Sequence, residues 1–586
     1  MLTSRRMLVL VSLLALLVGL NSLPGTFIAD DLAIVVRNPR VAHLDIGAIF
    51  ASDYWGQAGW DKLYRPLTIL SFALNRLAFG PDPFSFHLVN VLLHAGVTCF
   101  FALTLLALGF GPGPAGTAAA LFAVHPIHAD VVNVIVGRAE LLVALFLFAG
   151  LWLALRGRRR TWPLVICCYF AALLSKEHAV VFIPLLALAD GFVGSKRRDT
   201  TAGGESPATP PDQSGGLFRR RILLYALLVA VTVCWLLLRL WVLQAAKTPP
   251  SLIYAADNPL IGAGPLARLL TAAKVNLLYL AHLLLPLRLQ SLYSGPNLRV
   301  VGNPFSAWGL ASLAYLALCG AAAIHGWRRR SGYGFGIPLF FIGFAVTANL
   351  FFVITVLMAD RFAYLPSAGF CLAAASVLLI PARRATNSRT ARAFLLLPIG
   401  YAFFLMFLTL GRNAAFQDSE SFWKSVTRID PGNVRAWFFL SQATQQANKP
   451  LETERALQGA LRADPSFPDA PIAYSLFLLD QGRPVEAAAA ARQGLEAAPG
   501  GVGLAQFALA RAYLELERPA EALALLDEVT ELYAAEAGYW SSRGKALEAL
   551  GRPLEAIEAC RAALGIADEA DTQRRLARLL QAERNR

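Results

Sequence analysis

The stretch LLVALFLFAGLWLALRGRRR (residues 141–160) decides the fold. Its first part holds no charge, and its last five residues hold four arginines. Extended back to Arg138, the apolar run approaches the ~20 residues that carry a helix across a bilayer. A basic cluster at the end of such a run marks the cytoplasmic face, where Lys and Arg accumulate. Runs of the same kind recur on either side. The hydropathy pattern predicts about eleven spans, at roughly 7–23, 86–108, 115–133, 138–155, 161–175, 178–194, 221–243, 305–326, 335–357, 362–382 and 393–411.

The composition agrees. Of 586 residues, 56% are hydrophobic and only 16% charged, where a soluble chain carries about 25%. The shortage of charge is confined to the first two-thirds. The net charge of +14 does not point to nucleic acid, because the basic residues cluster at the ends of apolar runs. These clusters are Arg5 and Arg6, Arg156 to Arg160, Lys196 to Arg198, Arg219 to Arg221, Arg328 to Arg330, and Arg383, Arg384 and Arg392. With the N-terminus in the cytoplasm, all of them fall on the cytoplasmic side, and an odd number of spans puts the C-terminus outside. The apolar stretch 7–23 reads as the first span rather than a signal peptide, for want of a small-residue cleavage site. A further apolar segment, 266–286, is expected to lie at the outer surface as a re-entrant or interfacial helix, with Arg268, Lys274 and His282 at polar surfaces; the alternative is a true span, with some other segment failing to cross. Six of the seven cysteines lie in apolar runs, and none has metal-ligand or disulfide-framework spacing.

The remainder, from about Arg412, has a different rhythm. Asp430-Pro431, Asp464-Pro465 and Ala498-Pro499 recur 34 residues apart. GRPVEA (482–487), ERPAEA (517–522) and GRPLEA (551–556) keep one register. Small residues recur at Ser441, Ser475, Ala510 and Gly544, and again at Thr453, Ala487, Ala522 and Ala556. A period near 34 with small residues where two helices cross is the tetratricopeptide signature, here about four repeats. Stacked repeats form a solenoid whose concave face suits a polypeptide segment. The expected fold is therefore all-α: a polytopic membrane domain (1–411) and a tetratricopeptide solenoid (412–586). Within the first, 24–85 is a long outer loop and 196–220 a Gly/Pro/Ser-rich cytoplasmic linker.

The polar residues of the membrane domain collect on the outer face. The first loop holds Asp30, Asp31, Asn38, Asp53, Tyr54, Trp55, Trp60, Tyr64 and Arg65. The turns HPIHAD (125–130), GRAE (137–140), SKEH (175–178) and DRFAYLPS (360–367) share that face. Ionisable residues at membrane depth are functional candidates. Asp30 and Asp31 suit a general base that takes a proton from an attacking hydroxyl, or a metal site; an ordinary loop start is the plainer alternative. His125 and His128 share a face only if a helix persists past Pro126, and are open to a metal, a phosphate or a structural role. Arg138, Glu140, Lys176, Glu177, Asp360, Arg361 and Tyr364 complete the candidate site, the cations as holders of a leaving phosphate. Snorkelling and simple ion pairing are their plainer alternatives.

The ordered segments FIADDLAIVVRNPRV (27–41), YRPLTILSFALN (64–75), FHLVNVLLH (86–94), FAVHPIHADVVNVIVGRAELL (122–142), LLSKE (173–177), DNPL (257–260) and DRFAYLPSAGF (360–370), followed by the repeats, resemble the transmembrane and tetratricopeptide-repeat family of O-mannosyltransferases and its bacterial relatives. The resemblance covers nearly the whole chain. Asp130, His178 and Asp360 depart from the residues more usual at those places. The resemblance implies a GT-C-class membrane glycosyltransferase in a bacterial cytoplasmic membrane. It implies a sugar donor, mannose foremost, on a polyprenyl phosphate, and inverting transfer to Ser or Thr hydroxyls. It implies a catalytic acid in the first outer loop, which falls on Asp30 and Asp31. The repeats would present an extracytoplasmic protein or peptide acceptor; a divalent cation (Mg or Mn) is compatible but not required. Two other readings compete: a non-enzymatic scaffold that anchors the repeats for envelope assembly, and a transporter of lipid-linked sugar. The second would place charges near mid-membrane, with internal repeats.

Overall fold

The computed structural model describes residues 3–56, 63–202, 221–245, 258–294, 298–497 and 503–585. Trp60, Asp257, Pro499 and most of the expected linker lie outside the described residues, as do the side chains of 195–202. Every regular element described is helical. The chain forms two compact units, Met1–Phe422 and Trp423–Arg586. The boundary expected at 411/412 falls inside the helix Leu396–Asn413.

The first unit is a multi-pass membrane domain. Among its described residues, eight helices are long and apolar enough to cross a bilayer, or nine if one bent pair is a single span. Eleven spans were expected, and the differences have local causes. The pair Pro112–Ala123 and Pro126–Asn133 bends by 48° because Pro126 pushes His125 out of the helical region, to φ −76 and ψ 124. The expected span 161–175 is a helix of 14 residues, Trp162–Ser175. It nevertheless runs back along its neighbour Arg138–Leu155, since Lys176 at its end reaches Glu140 at the other's start.

The expected span 335–357 stops at Phe344. Beyond it the buried Asn258 holds the irregular chain: its Nδ2 donates to Asn349 Oδ1 (2.8 Å) and to the Ile354 carbonyl (2.7 Å), and Asn349 itself adopts φ 58. The short helix Gly332–Phe344 packs against Tyr364–Leu378 glycine to glycine. A Cβ on Gly336 would lie 2.4 Å from the Gly369 carbonyl oxygen, so nothing larger fits.

Two charges depart from expectation. Lys274, in the helix Pro265–Leu284, is not at a polar surface: it is buried and donates to the Arg299 carbonyl at 3.1 Å. Arg221 is also buried, paired with Asp190 and bonded to the Ala154 carbonyl, and Tyr225 donates to the same carboxylate at 2.9 Å. This clamp ties the start of the helix Ile222–Ala245 to the middle of Phe182–Ala202 and the end of Arg138–Leu155. The helix Phe182–Ala202 runs past residue 196, where the linker was expected to begin.

The second unit stacks four antiparallel pairs. They are Val434–Gln446 with Pro450–Ala463, Asp469–Asp480 with Pro484–Ala497, Gly503–Glu515 with Pro519–Glu528, and Ala537–Ala549 with Pro553–Ile566. Ala570–Arg584 closes the stack. Proline opens every second helix, where its fixed φ and missing N–H cost nothing. Three of the four prolines follow an arginine that pairs with a glutamate three residues on: Arg483–Glu486, Arg518–Glu521 and Arg552–Glu555. The small residues singled out by the repeat pattern are buried at the crossings.

Candidate functional site

The loop after the first helix places its two aspartates in opposite environments. Ala29 takes a left-handed conformation (φ 49) that a side chain disfavours. After it the chain turns Asp31 inward and leaves Asp30 accessible. Asp31 is fully enclosed. Its Oδ2 accepts from the amides of Ile28 (3.1 Å) and Ile135 (3.2 Å), and its Oδ1 from Val136 (2.8 Å). Both oxygens thus join the loop to the turn before Arg138. Burial pushes the Asp31 carboxyl up to about 7, against the pull of those three amides.

Asp30 keeps contact with solvent, yet protein surrounds it closely enough that burial raises its pKa. Arg361 and Arg65 pull the value back and Asp130 pushes it up. These charges are the neighbours that define the site.

Arg65 grips Glu177 with two nitrogens, Nε at 3.1 Å and Nη2 at 2.9 Å from Oε2, and lies over the Tyr54 ring at 5.1 Å. Glu140 pairs with Lys176 and accepts from His178 Nε2 at 3.2 Å. Burial lowers the pKa of Lys176, and Glu140 opposes it. Arg361 hands its backbone N–H to Asp130 Oδ2 (3.2 Å) and its Nη1 to the Ser291 carbonyl (3.1 Å). Its side chain stays 35% exposed, against 12–13% for Lys176 and Arg65. Asp360 is buried, accepts from the Tyr293 hydroxyl at 2.6 Å and faces Arg412 at 3.6 Å.

Four of the expected site residues lie elsewhere. Arg138 is completely enclosed. It donates to Asn90 and Asn75 (2.9 Å each) and to the carbonyls of Ser71 (3.1 Å) and Phe86 (3.0 Å), with Phe72 and Phe86 against its faces. Its nitrogens are committed to these four acceptors rather than left for a phosphate, so it organises the core beneath the first loop. His125, His128 and Tyr364 are likewise interior. The helix breaks at Pro126, so the histidines share no helix face; their rings meet in a core cluster with Phe122 and His94. His125 Nε2 donates to the Leu283 carbonyl (3.0 Å) and His128 Nε2 contacts Ser367 Oγ (2.8 Å). Tyr364 bonds His94 Nδ1 at 2.8 Å. Among the described residues, no group of three or more His, Cys, Asp or Glu side chains is placed to hold a metal.

Sequence reasoning missed Arg412, Tyr293, Gln290 and Ser291. One signal was present for Arg412: it is a basic residue at the end of the last span that the charge rule, from the other clusters, expects to lie outside.

The helices and this cluster define a multi-pass membrane protein with a polar centre among its loops and helix ends, and a helical-repeat domain. The tetratricopeptide repeat model matches residues 441–502 and 507–571. Over most of its length the chain is similar to curated protein O-mannosyl-transferases. It is 28% identical to TMTC2 of Mus musculus, over 77% of this chain and 61% of that protein. It is 27% identical to F38B6.6 of Caenorhabditis elegans, over 79% and 63%, and 28% identical to TMTC4 of Homo sapiens, over 71% and 61%. The chain thus spans about three-fifths of the length of the relatives it matches. Among solved structures, MamA protein is 18% identical with a TM-score of 0.23, covering 25% of this chain and 80% of that one, a likeness too weak to carry an argument.

Proposed function

We propose that this protein transfers a mannosyl residue from a polyprenyl-phosphate donor to Ser or Thr hydroxyls of extracytoplasmic proteins, from the outer face of a bacterial cytoplasmic membrane. The observation that carries the reading is Asp30: an accessible carboxylate, raised in pKa, beside the partly exposed cation Arg361. The names of the relatives supply the reaction class.

Asp30 removes the proton of the acceptor hydroxyl as its oxygen attacks the anomeric carbon from the face opposite the lipid phosphate. The bond between that carbon and the phosphate oxygen breaks, its electron pair stays on the phosphate, and the configuration inverts. The leaving group is already an anion, so no general acid is required. Arg361 receives the growing charge, because of the two arginines that act on Asp30 it is the more exposed, 35% against 13% for Arg65. Lys176 and Arg65, each held by a glutamate, shape the field around it. The repeats hold an acceptor polypeptide and raise its local concentration.

The test is transfer of labelled mannose from polyprenyl phosphate to extracytoplasmic polypeptide by the purified full-length protein. Transfer by wild type that is lost in Asp30→Asn supports the reading. Absence of transfer by wild type from a panel of lipid-linked donors sinks it and leaves an anchored repeat scaffold as the better account.

A further inference from the structure

The outer segment after the helix Pro265–Leu284 is pinned against the Asp360–Arg361 turn. Asp360 N donates to the Gln290 carbonyl (3.3 Å), Tyr293 N to the Met358 carbonyl (3.4 Å) and Arg361 Nη1 to the Ser291 carbonyl (3.1 Å). The Tyr293 hydroxyl locks the arrangement: it donates to Asp360, accepts from the Gln290 amide at 3.1 Å and meets His282 Nδ1 at 2.9 Å.

Inside this frame, polar atoms are left over. Gln290 Oε1, Ser291 Oγ and Arg412 Nε are buried without a hydrogen-bond partner. Gln290 is 7% exposed, Ser291 5%, and the Arg412 side chain 11%. Buried polar groups in native proteins are almost always paired, and each exception calls for a ligand, an ion or a water. Three around a single turn, flanking the residue whose cation faces Asp30, point to one occupant. The set offers an amide acceptor, a hydroxyl that both donates and accepts, and a guanidinium donor. That mixture matches a ring of neighbouring hydroxyls better than a phosphate, which would take donors alone.

We propose that Gln290, Ser291 and Arg412 bind the hydroxyls of the donor sugar and set which hexose is transferred. This rests on the glycosyltransferase reading above. A site built to hydrogen-bond a particular hydroxyl rejects the epimer that leaves its polar groups unpaired.

The experiment uses the purified full-length protein with polyprenyl-phosphate mannose, polyprenyl-phosphate glucose and bare polyprenyl phosphate. Transfer gives kcat/KM for the two sugars, and thermal shift of the whole protein reports binding of all three lipids. Gln290→Leu and Ser291→Ala keep size and leave the Asp360–Arg412 pair intact. The expected result is a wild-type preference between the epimers that falls about tenfold in each variant, the loss of one hydrogen bond. Stabilisation by bare polyprenyl phosphate stays unchanged. An active wild type whose preference survives in both variants overturns the proposal alone and assigns the three atoms to ordered water. So does an active wild type without preference. A wild type that neither binds nor transfers any lipid-linked sugar overturns the glycosyltransferase reading and this proposal together.

Discussion

At the scale of single residues, Asp30 and Asp31 are neighbours in different environments. Asp31 spends both oxygens on three backbone amides. In Asp31→Asn one carboxylate oxygen becomes an amide donor facing another donor, at a cost of about 1–3 kcal/mol. Its expected signature is a lower melting temperature and poorer yield. Asp30→Asn is expected to melt like wild type and to lose roughly 10²–10⁴-fold in rate, the usual contribution of a positioned base. The pH profile follows from the same residue. Burial raises the Asp30 pKa and Arg361 draws it back, so activity should climb with pH as Asp30 ionises, above the ordinary carboxylate range. Arg361→Gln removes the opposing charge, and the acid limb of kcat/KM should move to higher pH; an unmoved limb would show that another group is titrating. Arg138 gives a contrasting case. Lysine has three donors and no planar fork, so Arg138→Lys leaves carbonyl and amide oxygens unmet in a closed core. A loss of about 3–5 kcal/mol is expected, as when one partner of a buried charged network is removed, read as failure to accumulate folded protein rather than as an altered pH profile.

At the scale of elements, the repeats illustrate how local rules are kept and broken. Three of the four pairs turn through a left-handed residue suited to it: Asn448 (φ 55), Gly482 (φ 70) and Gly551 (φ 71). The third pair uses Glu517 at φ 55, where a Cβ meets the backbone. Glu517→Gly should therefore stabilise the protein, by about 1 kcal/mol, measured as a higher denaturant midpoint for unfolding of the repeats in the full chain. A neutral or destabilising result would mean that unfolded-chain entropy outweighs the relief of strain. In the membrane unit, the elements that depart from expectation do so at prolines, glycines and asparagines. Pro126 bends one span, Asn258 holds the break in another, and Gly336 and Gly369 let a short helix lie directly on its neighbour.

At the scale of the whole molecule, the proposed topology puts the linker and the repeats on opposite sides of the membrane. Protease added to right-side-out vesicles should therefore digest residues beyond 412 and spare 203–220, and inverted vesicles should give the reverse pattern. Digestion of both from one side would refute the orientation. Much of the architecture was legible beforehand because it is written in contiguous residues: the apolar runs, the arginines that end them and the 34-residue rhythm all act locally. The aspartate pair and the outer-face cations were legible as candidates for the same reason. Their separate assignments were not. Asp31 is committed by amides about a hundred positions away, Arg65 by Glu177, Arg361 by Asp130, and Arg138 by a shell from two other helices. The sequence by itself determined that this is an all-helical membrane protein with tetratricopeptide repeats, since helix formation, hydrophobic burial and repeat stacking depend on short-range pattern. Only the tertiary structure decided which charges stay accessible and which are enclosed, because burial and hydrogen bonding there depend on partners brought together from distant parts of the chain.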